Sequence, residues 1–340
     1  MTQPIGLAVI GCGDVATQRH LPAILANRDV RLIATCDADL DRARSAQQRF
    51  RAAYATGDAD TVLADPGVDA VVIATPPWVT PELTIRALRH GKDALAEKPM
   101  ALDRATAARV VAAEHDGDRF VQIGFVMRHG PMFGTLRRWI DEGALGSPLV
   151  VRIGIFDEVY DPEHQPEHLR RMLATLDHGA PCVHEGAHTM DHLHYLLGAH
   201  AAQIASWGTT TRPEFAAPNY NAAHITFPGG HVARVEIGWL YPAFPTFEWT
   251  ILGPNGVASF DLGERRVTLK TATREERVCL EDGEDCFESC FRIQLEAFVE
   301  GIRTRRPTGP SARDGYDSLV LCEAFADGLE RDYALREVVY

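Results

Sequence analysis

The pattern of apolar and polar positions changes period repeatedly over the first 125 residues. Short runs with almost no polar face alternate with stretches whose apolar residues recur every three or four positions. The runs are IGLAVIG (5–11), RLIATCD (31–37), DAVVIATPP (69–77), DALAEKP (93–99) and FVQIGF (120–125). The stretches between them are HLPAILAN, DLDRARSAQQRF, PELTIRALRHG and DRATAARVVAAEHD. Runs of the first kind predict strands buried on both faces, and those of the second kind predict helices. Their alternation predicts a parallel, doubly wound sheet with helices on both faces. Farther along, the rhythm changes. PLVVRIGIF, QIASWGTT, AAHITFPGGHVARVEIGWLY and FEWTILGPNGVASFDLGERRVTLKT read as strands broken by glycine turns at PGG and PNG. They predict a mostly antiparallel open sheet. ESCFRIQLEAFVEGIRTRRP and DGYDSLVLCEAFADGLERD carry helical periodicity.

The expected fold class is therefore α/β plus α+β, with one domain over 1–122 and a second over 123–340. The closing helices are free, in this reading, to pack back on the first domain. The 340 residues are 46% hydrophobic and 24% charged, enough for a core in each domain. A net charge of −13 argues against nucleic acid and anionic membrane as partners. No apolar run is long enough for a membrane span, and the N-terminus enters a strand with no basic leader. A cytoplasmic location is the expectation. The seven cysteines are scattered; Cys286 and Cys290 are four apart, but no second pair completes a zinc knuckle. Buried, reduced thiols are expected.

The first apolar run ends in GCGDVA, and an acid, Asp37, closes the next strand. In that setting Gly11 permits a tight turn and Gly13 lets backbone approach a pyrophosphate. The following helix N-terminus, with Asp14 and Val15, favours the anion. Asp37 is placed to accept hydrogen bonds from ribose hydroxyls, with Asp39 and Asp41 as nearby alternatives, and its charge puts NAD ahead of NADP. This is a Rossmann pattern. Thr75, Pro76, Pro77 and Trp78, after the third long strand, are further cofactor contacts, with Trp78 packing near the nicotinamide. The chain has only three lysines, Lys92, Lys98 and Lys270. Lys98 follows Glu97 at the carboxyl end of a strand, where open α/β sheets bind ligands. Glu97 joins the cofactor set, and the Lys98 ammonium can polarise an oxygen there.

Residues 184–194, HEGAHTMDHLH, contain the H-E-x-x-H spacing of a zinc hydrolase, with His184, His188 and Glu185 in the metal and base positions. Gly186 weakens such a helix by about 1 kcal/mol. Asp191 stands where the longer metal motif needs a glycine. The metal reading is therefore set behind a dinucleotide enzyme.

Five stretches carry a resemblance: VIGCGDVA with HLPA, ATPPW, GKDALAEKPMAL, GFVMRHGPMFGTLRRWIDEGALGSPLVVR and GAPCVHEGAHTMDHLHYLLG. In this order they resemble the glucose–fructose oxidoreductase / inositol dehydrogenase / rhizopine catabolism (Gfo/Idh/MocA) family. The resemblance implies an NAD-dependent oxidoreductase. It would move a hydride between nicotinamide and a secondary alcohol or ketone of a sugar, sugar derivative or cyclitol. It implies a homodimer or homotetramer built on the open sheet. It casts Lys98 as oxyanion stabiliser and His188 as acid/base. His184 replaces the family's usual aspartate and becomes a third, altered member. Thr80 stands where the family often has histidine. Arg128, Glu158, Tyr160, His184, Glu185 and Asp191 are candidates for substrate contact, and Asp191 also for orienting His188. His164, His168 and His178 are read as a polar loop, and His192 and His194 as solvated or interface residues. Tightly held NAD supporting epimerisation or elimination, and a non-catalytic NAD-binding role, remain as alternatives.

Overall fold

The computed structural model describes residues 3–245, 248–261, 263–279, 286–329 and 336–340. The first sheet is parallel, with β1 (Ile5–Ile10), β2 (Val30–Cys36), β3 (Tyr54–Thr56), β4 (Ala70–Ile73), β5 (Asp93–Ala96) and β6 (Val121–Ile123) in the order β3-β2-β1-β4-β5-β6. Helices α1 (Leu21–Ala26), α2 (Leu40–Phe50), α3 (Ala59–Ala64), α4 (Thr80–Arg89) and α5 (Arg104–His115) connect the strands. Asp39, Asp58 and Asp103 cap α2, α3 and α5 by accepting backbone N–H groups.

The next segment holds α6 (Pro131–Asp141), β7 (Val150–Asp157), α7 (Pro166–Leu176), α8 (Pro181–His184) and α9 (Gly186–Leu197). After it come β8 (Gln203–Thr209), β9 (Tyr220–Thr226), β10 (Val232–Trp239), β11 (Glu248–Gly253), β12 (Gly256–Asp261), β13 (Arg266–Thr271) and β14 (Glu275–Cys279). Helices α10 (Cys286–Thr304) and α11 (Ala312–Leu329) and the short β15 (Arg336–Glu337) close the chain. The second sheet has nine strands in the order β14-β13-β12-β11-β7-β10-β9-β8-β15. It is antiparallel except for the β7–β10 pair, which is parallel. Both sheet classes agree with the expected fold.

The chain divides into two compact units, residues 1–130 with 284–316 and residues 131–283 with 317–340. The first crossing falls at 130–131, a few residues beyond the expected 122–123, and the return of residues 284–316 is the packing back that the sequence leaves open to the closing helices. The reason lies in β1. Its alternate residues Ile5, Leu7 and Val9 pack into one cluster, and Ala8 and Ile10 into another. Local helices supply Val62, Leu63, Leu83 and Ala87 to the second cluster. The first takes Leu21 and Ile24 from α1, Phe50 from α2, and Leu295, Phe298 and Val299 from α10. The α10 helix therefore belongs to the first unit's core, and a helical periodicity cannot say which sheet its apolar face will cover. Just past α10, Arg305 adopts φ 55° and places two guanidinium nitrogens on the buried Asp93 carboxylate at 2.7 and 3.1 Å. That bidentate pair fastens the returning segment to the start of β5. Lys92 is a structural lysine, donating to the carbonyl oxygen of Asp65 at 2.9 Å.

In the second unit, Phe133 of α6 meets Trp249 of β11, Phe260 of β12 and His192 of α9, at 5.1, 5.6 and 4.2 Å between ring centroids. The covered face of the sheet carries Val151, Ile153, Ile155, Ala233, Val235, Ile237, Trp249 and Ile251, all buried. The alternate positions on the other face include Val150, Arg152, Arg234 and Leu252. That is the period-two pattern of a sheet with one covered face. Among the described residues, no helix is long and apolar enough to cross a membrane. Cys12, Cys36, Cys182, Cys290 and Cys322 are buried, and Cys279 is exposed. The Cys286 side chain lies outside the described residues.

Two outcomes follow. Phe298→Ala removes a fully buried ring from the first unit and should cost about 3–5 kcal/mol in denaturant unfolding; a loss below 1 kcal/mol contradicts the packing. His129 is the second case. Burial first, then Arg128, pushes its imidazole down from 6.5 to about 4. The unfolded histidine binds a proton below about 6.5 while the folded one stays neutral until about 4, so acid favours the unfolded chain across that window. Stability should fall by about 2–3 kcal/mol from this group between pH 7 and pH 4. Urea midpoints of His129→Gln should show a shallower acid slope than the parent over that range.

Candidate functional site

The cofactor side of the site is built on the carboxyl ends of β1, β2, β4 and β5. Gly11 has φ +93°, and a Cβ there would stand 2.4 Å from the Ala74 carbonyl oxygen. Only glycine turns the chain this close to the end of β4. Gly13 faces open space, with nothing within 4 Å of its Cβ position. Helical backbone begins at Asp14, and the Thr17 N–H donates to the Gly13 carbonyl. An uncovered glycine at a helix start suits an approaching pyrophosphate. Asp37 sits beside this turn. Its Oδ2 accepts the Cys12 N–H at 2.7 Å and its Oδ1 the Asp39 N–H at 2.9 Å. Each oxygen keeps a lone pair for a hydroxyl donor. Asp39, the nearby alternative, is committed as the cap of α2 through the Asp41 and Arg42 N–H groups. These residues fit a dinucleotide.

After β4, Thr80 braces the turn holding Pro76, Pro77 and Trp78. Its hydroxyl lies 2.9 Å from Thr75 Oγ1 and donates to the Thr75 carbonyl at 3.0 Å. Trp78 is 44% exposed at the tip of that turn, an unusual position for a large ring in a folded chain. Lys98 follows β5 by two residues. Its backbone N–H donates to Glu97 Oε2 at 3.1 Å. Glu97 itself turns inward: its Oε1 lies 2.7 Å from His20 Nε2.

The second unit carries the histidine string. His184 ends α8, Glu185 forms the junction, and His188 lies in the first turn of α9. His184 is 5% exposed, and its ring stacks on Trp239 at 5.7 Å and 22°. His188 stacks instead on His192 at 5.8 Å and 12°. Among the described residues, no three His, Cys, Asp or Glu side chains form a metal-binding group. Asp191 is fully buried on α9. The Cys182 N–H donates to Asn221 Oδ1 at 2.9 Å, and the Ser318 hydroxyl donates to the Ala187 carbonyl at 2.7 Å. Those bonds seat α8 and the start of α9.

Four expectations change. His192 is buried against Phe133 and Trp249 rather than solvated, because an imidazole with an aromatic on either side packs as a ring. His194 is half-buried, its Nε2 3.0 Å from the Tyr340 hydroxyl. Residues 166–176 form α7 rather than a polar loop. Leu169, Met172, Leu173 and Leu176 pack there with Trp239, at the i, i+3, i+4, i+7 spacing that marks a helix. Arg128 belongs to the first unit, not to the second domain's opening loops, and donates to Asp314 at 2.9 Å. Burial raises the Asp314 carboxyl, but Arg128 and Ser311 outweigh it and hold it below the usual range.

Glu158 and Tyr160 do fall together in the second unit. Glu158 adopts φ 57°, and its carbonyl accepts the N–H of Leu240, itself at φ 59°. Such positions are costly for residues with a Cβ and gather at functional sites. Glu158 Oε2 lies 2.8 Å from His168 Nε2, a partner brought by α7. The Tyr160 hydroxyl donates to Glu214 at 3.2 Å, and Arg212 covers its ring at 3.8 Å.

The geometry meets independent likenesses over most of the chain. Residues 5–125 match an oxidoreductase family with an NAD-binding Rossmann fold, and residues 133–259 match the GFO/IDH/MocA C-terminal domain. An inositol 2-dehydrogenase of Burkholderia vietnamiensis is 29% identical over 337 residues, covering 95% of this chain and 93% of that protein. A myo-inositol 2-dehydrogenase structure from Lactobacillus plantarum superposes with TM-score 0.85 at 19% identity, over 99% of this chain and 100% of the other. A levoglucosan dehydrogenase solved with NADH and levoglucosan gives TM-score 0.90 at 20% identity, over 99% and 100%. With both domains matched in order, the chain belongs to the GFO/IDH/MocA family of NAD-binding oxidoreductases.

Proposed function

We propose that the protein oxidises a secondary alcohol of a cyclitol or sugar, or reduces the matching ketone, using NAD. The observation that carries this is Lys98, one of three lysines in the chain, set two residues beyond β5 on the sheet edge that also holds the Gly11–Gly13 turn. A ligand on such a sheet lies outside the carboxyl ends of the strands, so the Lys98 ammonium is available to the reacting oxygen. The relatives named as inositol 2-dehydrogenases support the cyclitol class.

Bound NAD supplies the hydride acceptor. The chain's own residues supply the rest. Gly11 and Gly13 admit the pyrophosphate to the helix beginning at Asp14, and Asp37 accepts the ribose hydroxyls, its charge opposing a 2′-phosphate. Trp78 packs at the nicotinamide end. Lys98 stabilises negative charge growing on the substrate oxygen. His188 takes the hydroxyl proton, or returns it in the reductive direction, as an imidazole can near neutral pH. His184, held flat on Trp239, binds a neighbouring hydroxyl; unlike an aspartate it can donate or accept. Glu158 and Tyr160 contact further hydroxyls. We further infer that a second copy covers the outer face of the large sheet, where Val150 and Leu252 are 41% and 39% exposed on adjacent strands.

A panel of inositols, aldoses and their keto forms with NAD and NADP tests the reaction. NADH formed from none of the polyols and consumed with none of the ketones sinks it. Lys98→Ala should lower kcat/KM about 10²–10³-fold with an unchanged melting temperature. His188→Asn should fall comparably, and the double variant should lose little more, since residues acting on one proton transfer are not additive. Gly13→Val fills the open space at the helix start and should weaken NAD binding at least about tenfold by calorimetric titration while the fold survives. Undiminished NAD affinity there contradicts the placement of the pyrophosphate.

A further inference from the structure

The helical stretch leaving the glycine turn holds a π-helical segment, Ala16–His20, before regular α1 begins. Such a segment inserts a residue into the helical phase and is frequent at functional sites. Here the shifted phase turns His20 into the first unit, where it is 4% exposed. Its ring meets Phe291 of α10 edge-on, 4.9 Å between centroids. Its Nε2 lies 2.7 Å from Glu97 Oε1, and the other oxygen of that carboxylate accepts the Lys98 N–H at 3.1 Å. Gly124, following β6, closes the far side: a Cβ there would stand 3.0–3.1 Å from Glu97 Cδ and both oxygens. Glu97 is 9% exposed. A buried carboxylate is retained only with partners, and here the helix of the glycine turn, the end of β5 and the residue after β6 all shape its position.

We propose that His20 and Glu97 form a positioning dyad for Lys98. His20 fixes the carboxylate, the carboxylate fixes the Lys98 amide, and the reach of the ammonium is thereby set from the helix that receives the cofactor. The dyad rests on the reading of Lys98 given above. His20 touches neither substrate nor cofactor in this scheme and acts through Glu97.

The test uses the full chain carrying His20→Ala, His20→Gln, Glu97→Gln or Lys98→Ala. Two quantities are measured: hydrogen exchange of the Lys98 amide without ligands, and kcat and KM with NAD and the best polyol of the panel. His20→Ala should speed exchange about tenfold or more and lower kcat about 10- to 100-fold, with KM for NAD within about threefold. His20→Gln keeps an N–H donor toward Glu97 and should recover most of both. Glu97→Gln can still accept from Lys98 and donate to His20, and should keep exchange slow. Unchanged exchange in His20→Ala overturns the dyad. So does a rise in KM for NAD that accounts for the lost rate, or a His20→Gln variant no better than His20→Ala. Full activity in Lys98→Ala sinks the role of Lys98 alone and leaves the exchange measurement as the judge of the dyad.

Discussion

Strand β1 is apolar on both faces, and much of the rest follows from that. A strand in the middle of a parallel sheet cannot leave either side to water, so two separate layers must cover it. The helices between the early strands provide one and part of the other, through Leu21, Ile24 and Phe50. The second layer is completed by Leu295, Phe298 and Val299, nearly three hundred residues away. Each fully buried side chain of that size contributes roughly 1.5–3 kcal/mol, so the returning helix is a large share of the first unit's stability. The Asp93–Arg305 pair then fixes where the return ends. The second sheet has a simpler requirement, since one of its faces is polar enough to meet solvent or another surface.

What could be read from the sequence was what depends on local period. Five apolar runs and the helices between them matched five of the first sheet's six strands, with the three-residue β3 outside them, and the glycine turns at PGG and PNG marked the second. The Gly11–Gly13 turn was legible because its meaning comes from its neighbours in sequence. What could not be read was partnership across distance. The α10 pattern shows an apolar face without naming the sheet beneath it. His192 reads as polar until Phe133 and Trp249 stand beside it. The α7 helix is a different case, for its Leu169–Leu176 spacing was available and was obscured by the histidines and acids around it.

The candidate site divides the same way. Lys98 stands out because lysine is rare in this chain and because it follows a strand end. Its buried support does not stand out. His20 lies in HLPA, a motif that marks the resemblance without explaining its histidine, and no residue pattern announces a π-helical turn. The backbone positions at Glu158 and Leu240 are equally silent in sequence, since their left-handed conformation is imposed by the strands they end. Residues that touch a ligand tend to leave local signatures, whereas those that hold them in place leave tertiary ones.

The late arrival of α10 bears on biosynthesis. Domains generally assemble in the order in which the chain emerges, at about 5–20 residues per second. Residues 1–130 are complete long before 284–316 exist, an interval of roughly 8–35 s at that pace. Throughout it the cluster around Leu7, Val9 and Val72 has Leu21, Ile24 and Phe50 but lacks Leu295, Phe298 and Val299. The entire intervening unit is translated meanwhile. A newborn chain of this design holds one of the first unit's two cores incomplete for that interval, and transiently exposed apolar surface is what makes such intermediates prone to aggregate.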